Sequence, residues 1–256
     1  MTTLVARDVR AGYRSREVLR GIDLTLRGGE RVGLIGPNGS GKTTLLRAFA
    51  GILRPWAGRV ELDGVPLDTL DARTRARRIA VVPQTFVTPF SFTAREVAGL
   101  GRTPYVGTFG RPSSADRAAV ERALERTGCG DIAERPLAEL SGGERQRAVL
   151  AMALAQEGDV LLLDEPTVHL DPAHQRSILE LVGRLARERG VLVLAVLHDL
   201  NLTSALADRV VVLEAGRVVA DGTPASVFTQ SMVDTVFGPG LRVLDGLIPP
   251  AVVPRS

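Results

Sequence analysis

Residues 36–44 read GPNGSGKTT and fit the spacing GxxxxGK[ST] without a mismatch. Gly36, Gly39 and Gly41 let backbone N–H groups converge on an anion, and a helix opening at Lys42 turns its positive N-terminus toward the same point. Lys42 is the one lysine among 32 basic residues. A compact ammonium on a flexible stem fits a cradle of amides, whereas the larger planar fork of arginine needs a differently shaped site. Lys42 is therefore expected on the β and γ phosphates of a nucleotide, with Thr43 offering a hydroxyl to Mg²⁺. Pro37, Asn38, Ser40 and Thr44 complete the loop.

Two acids, Asp164 and Glu165, follow the apolar run VLLL. Ligands sit at strand ends in open α/β sheets, so Asp164 can hold the Mg²⁺ shell while Glu165 polarises an attacking water. The structural alternative is a pair of solvated carboxylates in a turn before Pro166. His198 ends the run VLVLAVL and can reach a γ-phosphate and help place the water; by itself, a histidine capping a strand also serves structure. In LSGGERQR, residues 140–147, Ser141 and Glu144 have the spacing of a capping box, and Gly142 and Gly143 expose the amides that open the next helix. That stretch is either a plain capped helix or a second amide cluster for a nucleotide bound elsewhere. His169 and His174 lie five residues apart in surroundings that suggest no metal site.

These side chains need strands to end where they stand. LVARDV, IDLTL, RVGLIG and GRVELDG read as short strands separated by charged and Gly-rich turns. After Lys42 the period changes, and Leu45, Leu46 and Phe49 recur on one side of a helix that stops before Pro55. VLLLDEP and VLVLAVLHD have the continuous apolar character of strands buried on both faces of a parallel sheet, with PAHQRSILELVGRLARERG as the crossover helix between them. ADRVVVLEAGRVVADGTP predicts a hairpin turning at 214–216. Between Gln84 and Ser141, SFTAREVAGLG and SSADRAAVERALERTG predict two helices, each opened by a Ser or Thr cap and joined by RTPYVGTFGRP. The economical fold is α/β, a parallel-sheet core with an inserted helical subdomain. The basic cluster ARTRARR, 72–78, is expected to be a solvated helix face.

The net charge of +3 is too small to argue for nucleic acid without a clustered patch, so it says little about partners, and the single cysteine, Cys129, cannot form an internal disulfide and fits a reducing cytoplasm. MTTLVARDVRAGYRSR does not read as a signal peptide, and VLVLAVL falls far short of the roughly 20 apolar residues that span a bilayer.

Taken together the motifs resemble those of the ATP-binding cassette (ABC) proteins. GPNGSGKTT is similar to their Walker A loop, VVPQ to the Q-loop ending at Gln84, LSGGERQR to the signature, VLLLDEP to Walker B, HLD to the D-loop ending at Asp171, and His198 to the switch histidine, all in the family's order. The resemblance implies one ABC domain over 1–256, a P-loop NTPase cassette with a RecA-like parallel-sheet core. It adds an N-terminal antiparallel β subdomain, a helical subdomain at about 85–157 and a C-terminal extension at about 225–256. It further implies ATP and Mg²⁺ as ligands and a head-to-tail homodimer in which Ser141, Gly142, Gly143 and Glu144 of one subunit face the γ-phosphate held by Lys42 of the other. Asp171 would serve communication between the subunits, Tyr13 would stack on adenine, and Gln84 would reach the metal or water and report occupancy to a membrane partner. LGRTPYVGTFGRPSSAD, DEPTVHLDPAHQ and the tail VFGPGLRVLDGLIPPAVVP are similar to ATPases of importers for iron chelates, haem and cobalamin. The expected setting is the cytoplasmic face of the membrane, beside separate permease subunits and, indirectly, a substrate-binding protein. A soluble ABC ATPase acting on DNA or ribosomes is the alternative, but such proteins carry a coiled-coil insertion or a second cassette. The 56 residues between Gln84 and Ser141 are too few for a coiled-coil arm.

Overall fold

The computed structural model describes residues 1–255 apart from 89, 107–109, 169, 245 and 248; His169 is outside the described residues. Along the chain come β1 (Thr3–Tyr13), β2 (Arg16–Arg27), β3 (Arg31–Ile35), α1 (Lys42–Phe49), β4 (Ala57–Leu62) and β5 (Val65–Pro66). Next are α2 (Ala72–Arg78), β6 (Ile79–Val82), α3 (Ala94–Leu100), α4 (Ser114–Arg126), α5 (Gly142–Ala155), β7 (Val160–Asp164), α6 (Pro172–Arg189) and β8 (Leu192–Val196). The last part holds α7 (Leu200–Leu206), β9 (Arg209–Glu214), β10 (Arg217–Gly222), α8 (Pro224–Val227), α9 (Gln230–Phe237), β11 (Leu241–Leu244) and β12 (Ala251–Pro254).

The N-terminal strands form an antiparallel sheet in the order β2-β1-β4-β5, and the core is a six-stranded sheet in the order β10-β9-β3-β8-β7-β6. All neighbours in the second sheet run parallel except β10, the hairpin partner of β9. The continuous apolar character of β7 and β8 has its expected cause, since both faces are covered. Val160, Leu162, Leu192 and Leu194 join a core with α1 and the antiparallel sheet. Their neighbours Leu161, Leu163, Val193 and Ala195 join α5 and α6 on the other face. An eight-residue helix such as α1 is too short to be stable alone. It is held by the burial of Leu45, Leu46 and Phe49, each worth roughly 1.5–3 kcal/mol.

Thr93 and Ser113 cap α3 and α4, and both form complete capping boxes, with Glu96 and Asp116 reaching back to the cap N–H groups. α3 and α4 pack on one side of α5, whose other side covers the sheet. A separate C-terminal core gathers Phe228, Val233 and Val236 against β9, with Val243 and Val252 from the β11–β12 hairpin. The basic stretch 72–78 is helical and buries no residue, as expected, but its arginines are not simply solvated. Arg73, Arg75 and Arg77 donate to the carbonyls of Val106, Leu67 and Pro104, and Arg78 pairs with Asp63 and Asp159. A guanidinium carries several donors on a long stem, so an exposed helix can staple neighbouring loops without entering the core. Among the described residues no helix is long and apolar enough to cross a membrane.

Candidate active site

The strand order brings the chemistry together. β8 lies between β3 and β7, so the loop after β3, the acids ending β7 and the histidine after β8 share one sheet edge. A cleft of about 430 Å³ opens there, lined among others by Tyr13, Asn38, Lys42, Thr43, Glu165 and His198.

Gly36 turns the chain out of β3 at φ 148°, and a Cβ built there would lie 2.0 Å from Leu213 O, so only glycine fits. The loop then wraps the ammonium of Lys42, which donates to Gly36 O at 2.8 Å and Pro37 O at 3.0 Å. Lys42 is only 5% exposed, and burial lowers its pKa against the pull of Glu165 and Asp164. Ser40 Oγ is buried with no hydrogen-bond partner among the described residues. An orphaned hydroxyl and an under-neutralised cation in one glycine loop form a site built for an anion.

Across the cleft floor Thr43 Oγ1 donates to Asp164 Oδ1 at 3.1 Å. Burial raises the pKa of Asp164, with the Thr43 bond opposing it and the neighbouring Glu165 charge adding to it. A hydroxyl beside a buried carboxylate is an all-oxygen pair suited to Mg²⁺, with most of the shell left for water and phosphate. Glu165 is held in the left-handed region at φ 52°, where its N–H donates to Val196 O at 3.1 Å. That conformation is rare outside glycine and strained residues of this kind cluster at functional sites. Its carboxylate meets two groups at once: Gln84 Nε2 donates to Oε2 at 2.6 Å, and His198 Nε2 lies 2.5 Å from Oε1. Gln84 thus bonds to Glu165 here.

Tyr13 stands at the cleft mouth, 41% exposed, its hydroxyl accepting from Arg47 at 3.0 Å. Arg16 and Val18 of β2 line the cleft beside it, although neither was legible as a site residue. Their one signal is position, immediately after the Tyr13 turn on the strand paired with β1.

The signature residues do not line this cleft. Ser141 caps α5, taking the N–H of Glu144 on Oγ at 3.3 Å, while the Glu144 carboxylate accepts the Ser141 N–H at 2.8 Å. That N–H, with the Ser141 hydroxyl, holds the Glu144 carboxyl below its usual range. Asp171 caps α6, accepting the N–H groups of His174 and Ala173, and its pKa is lowered chiefly by the backbone N–H and the ring of His174.

Comparison with known proteins agrees with this geometry. The family pattern described as ABC transporter matches residues 19–168. The achromobactin transport ATP-binding protein CbrD of Dickeya dadantii is 41% identical over 244 residues, 95% of this chain and 91% of its own length. The hemin import ATP-binding protein HmuV of Nocardia farcinica is 47% identical over 231 residues, 90% of this chain and 79% of its own. A solved transporter assigned to the metal-chelate ABC type, in an inward-facing conformation, superposes with a TM-score of 0.86 at 27% identity, covering 100% of this chain and 98% of that one. The chain belongs to the ABC transporter family as an ATP-binding, ATP-hydrolysing cassette.

Proposed function

We propose that the chain powers import of a metal chelate, an iron-siderophore, haem or cobalamin, through separate membrane permease subunits, working as a homodimer at the cytoplasmic face of the membrane. We read 1–256 as one ATP-binding domain with a helical subdomain at 85–157 and a C-terminal extension at 225–256. The observation that carries the reading is the separation of two half-sites. Lys42, Asp164, Glu165 and His198 meet at one sheet edge, while the Ser141–Glu144 turn lies outside that cleft, which supports a site completed by a second copy. The names of the relatives support transport over action on nucleic acid or ribosomes.

In this reading Tyr13 stacks on adenine, with Arg16 and Val18 beside it. The amides of 36–44 and the Lys42 ammonium cradle the triphosphate, and Ser40 Oγ gains its missing partner. Lys42 must leave two neutral carbonyls for phosphate oxygens, an exchange that favours the anion because charge-assisted bonds are the stronger. Thr43 and Asp164, with Gln84, would hold Mg²⁺, which when bound neutralises charge on the β and γ oxygens. Glu165 takes the proton of the attacking water, and His198 keeps that carboxylate aimed and reaches the γ-phosphate. The partner's Ser141–Glu144 turn closes over the γ-phosphate, Asp171 links the two halves, and Gln84, bonded to Glu165 and placed before the helical subdomain, signals occupancy to the permease.

The test is reconstitution. The chain, combined with permease subunits and a substrate-binding protein, should drive ATP-dependent uptake of one of the three chelates into vesicles. Uptake should stop with Glu165→Gln. Full ATPase activity in that assembly with no uptake of any chelate would overturn the import reading.

A further inference from the structure

Gly143, in the second position of α5, has the imidazole of His174 directly against its backbone. A Cβ built on Gly143 would lie 2.6 Å from His174 Cδ2, closer than real Cβ atoms come to a carbon, and 3.0 Å from Cγ, tighter than most such contacts. The ring is braced from the other side, since His174 Nδ1 lies 2.6 Å from Asp171 Oδ2 while Asp171 Oδ1 accepts the N–H groups of Ala173 and His174. Gly143 is buried although its neighbours Ser141 and Gly142 are exposed, so the ring covers the inner side of the turn and leaves the outer side open. The sequence motifs assigned no role to His174.

The contact joins two segments that the proposed function places at the dimer interface. Asp171 follows Glu165 by six residues, and Gln175 ties the intervening turn to α6 by donating to Thr167 O at 3.2 Å. The His174 ring thus packs between this turn and α5 of the same chain. We propose that His174 is a positioning residue: its ring, held by Asp171 and pressed on Gly143, sets the signature turn for the partner's nucleotide. This rests on the composite-site reading given above. Its physical basis is preorganisation, because amides already in place cost less to order when the subunits close.

The test uses the full chain in the Glu165→Gln background, following ATP-driven dimerisation by sedimentation and ADP affinity separately. ADP affinity reports the phosphate loop, which His174 does not touch. His174→Ala removes ring and bond together, while His174→Phe keeps a ring and removes the bond to Asp171. Both should raise the ATP concentration for half-dimerisation by about 5- to 10-fold, with ADP affinity and the thermal transition unchanged. Dimerisation of either variant at the same ATP concentration as Glu165→Gln would overturn the role of His174. So would a shift matched by an equal loss of ADP affinity, the mark of general loosening. If Glu165→Gln itself stays monomeric at saturating ATP, the composite-site reading fails first and takes this inference with it.

Discussion

Arg102 and Lys42 are buried to nearly the same depth, 6% and 5% exposed, yet their charges are treated in opposite ways. In the helical region Arg102 donates to Asp116 at 2.9 Å, to Glu157 at 2.9 Å and to Ala155 O at 2.7 Å, and its guanidinium sits 3.7 Å from the Tyr105 ring centroid. Asp116 is pinned in turn by the Ser113 hydroxyl and N–H and by Arg102, which lowers its pKa to about 2. At the sheet edge Lys42 donates to two neutral carbonyls and, among the described residues, forms no ion pair, beside a Ser40 hydroxyl that has no partner among them. A satisfied buried network specifies a structure, while an unsatisfied one is held for a ligand. The two clusters should therefore fail differently when altered, one in stability and the other in function.

The largest effect should come from Glu165→Gln, which removes the proposed base but keeps a side chain that can face Gln84 and His198. Phosphate release should fall roughly 10²- to 10⁴-fold while ATP binding and the thermal transition stay near wild type. Full turnover would remove Glu165 from its role and break the contrast at its functional end. Next is Lys42→Arg, which keeps the charge but cannot fit the space between Gly36 O and Pro37 O. Nucleotide affinity should drop roughly tenfold or more, close to Lys42→Ala, in titrations of folded protein. Wild-type binding and turnover by the arginine variant would make the lone lysine an accident of composition.

Asp116→Ala tests the satisfied cluster. Unfolding free energy should fall by roughly 2–3 kcal/mol, less than the ~3–5 for a fully broken buried pair because Arg102 keeps Glu157 and Ala155 O. ATPase activity well below the transition should be unchanged. The pH dependence has a definite sign. Asp116 has a folded pKa depressed to about 2, so its contribution is present above the ordinary carboxylate value near 3.8 and is lost as pH falls through about 2. Denaturant curves for wild type and Asp116→Ala should hold their separation at neutral pH and converge across that acid window. A constant difference would assign the loss to packing. The smallest effect is expected at the rim, where Tyr13 is 41% exposed and already shares its face with Arg47, 6.0 Å from the ring centroid. Tyr13→Ala should weaken ATP binding by about 0.5–1.5 kcal/mol without changing turnover at saturation, and an undiminished affinity would take the ring off adenine.

Local rules wrote much of this protein into its sequence. The glycine spacing of 36–41 and the lone lysine marked the loop that wraps the Lys42 ammonium. The Thr93, Ser113 and Ser141 caps marked helix starts, and the turn at 214–216 marked a hairpin, because caps, turns and periodicity act over a few residues and are readable one segment at a time. Other features depend on how distant segments meet. No spacing reveals that β8 slots between β3 and β7, since parallel neighbours are chosen by packing and by crossover connections rather than by local pattern. That insertion alone puts Val196 O where the Glu165 N–H can reach it at φ 52°, and sets Gln84 and His198 on the two oxygens of one carboxylate. The burial of Arg102 beside Asp116, the entry of Arg16 and Val18 into the cleft at the sheet edge and the seat of His174 on Gly143 join residues 14 to 149 positions apart, as Arg102 to Asp116 and Arg16 to Glu165 show. The segments name the chemistry through side-chain type, and tertiary packing decides which side chains share a charge, a cleft or a contact, because those energies exist only once the sheet has closed.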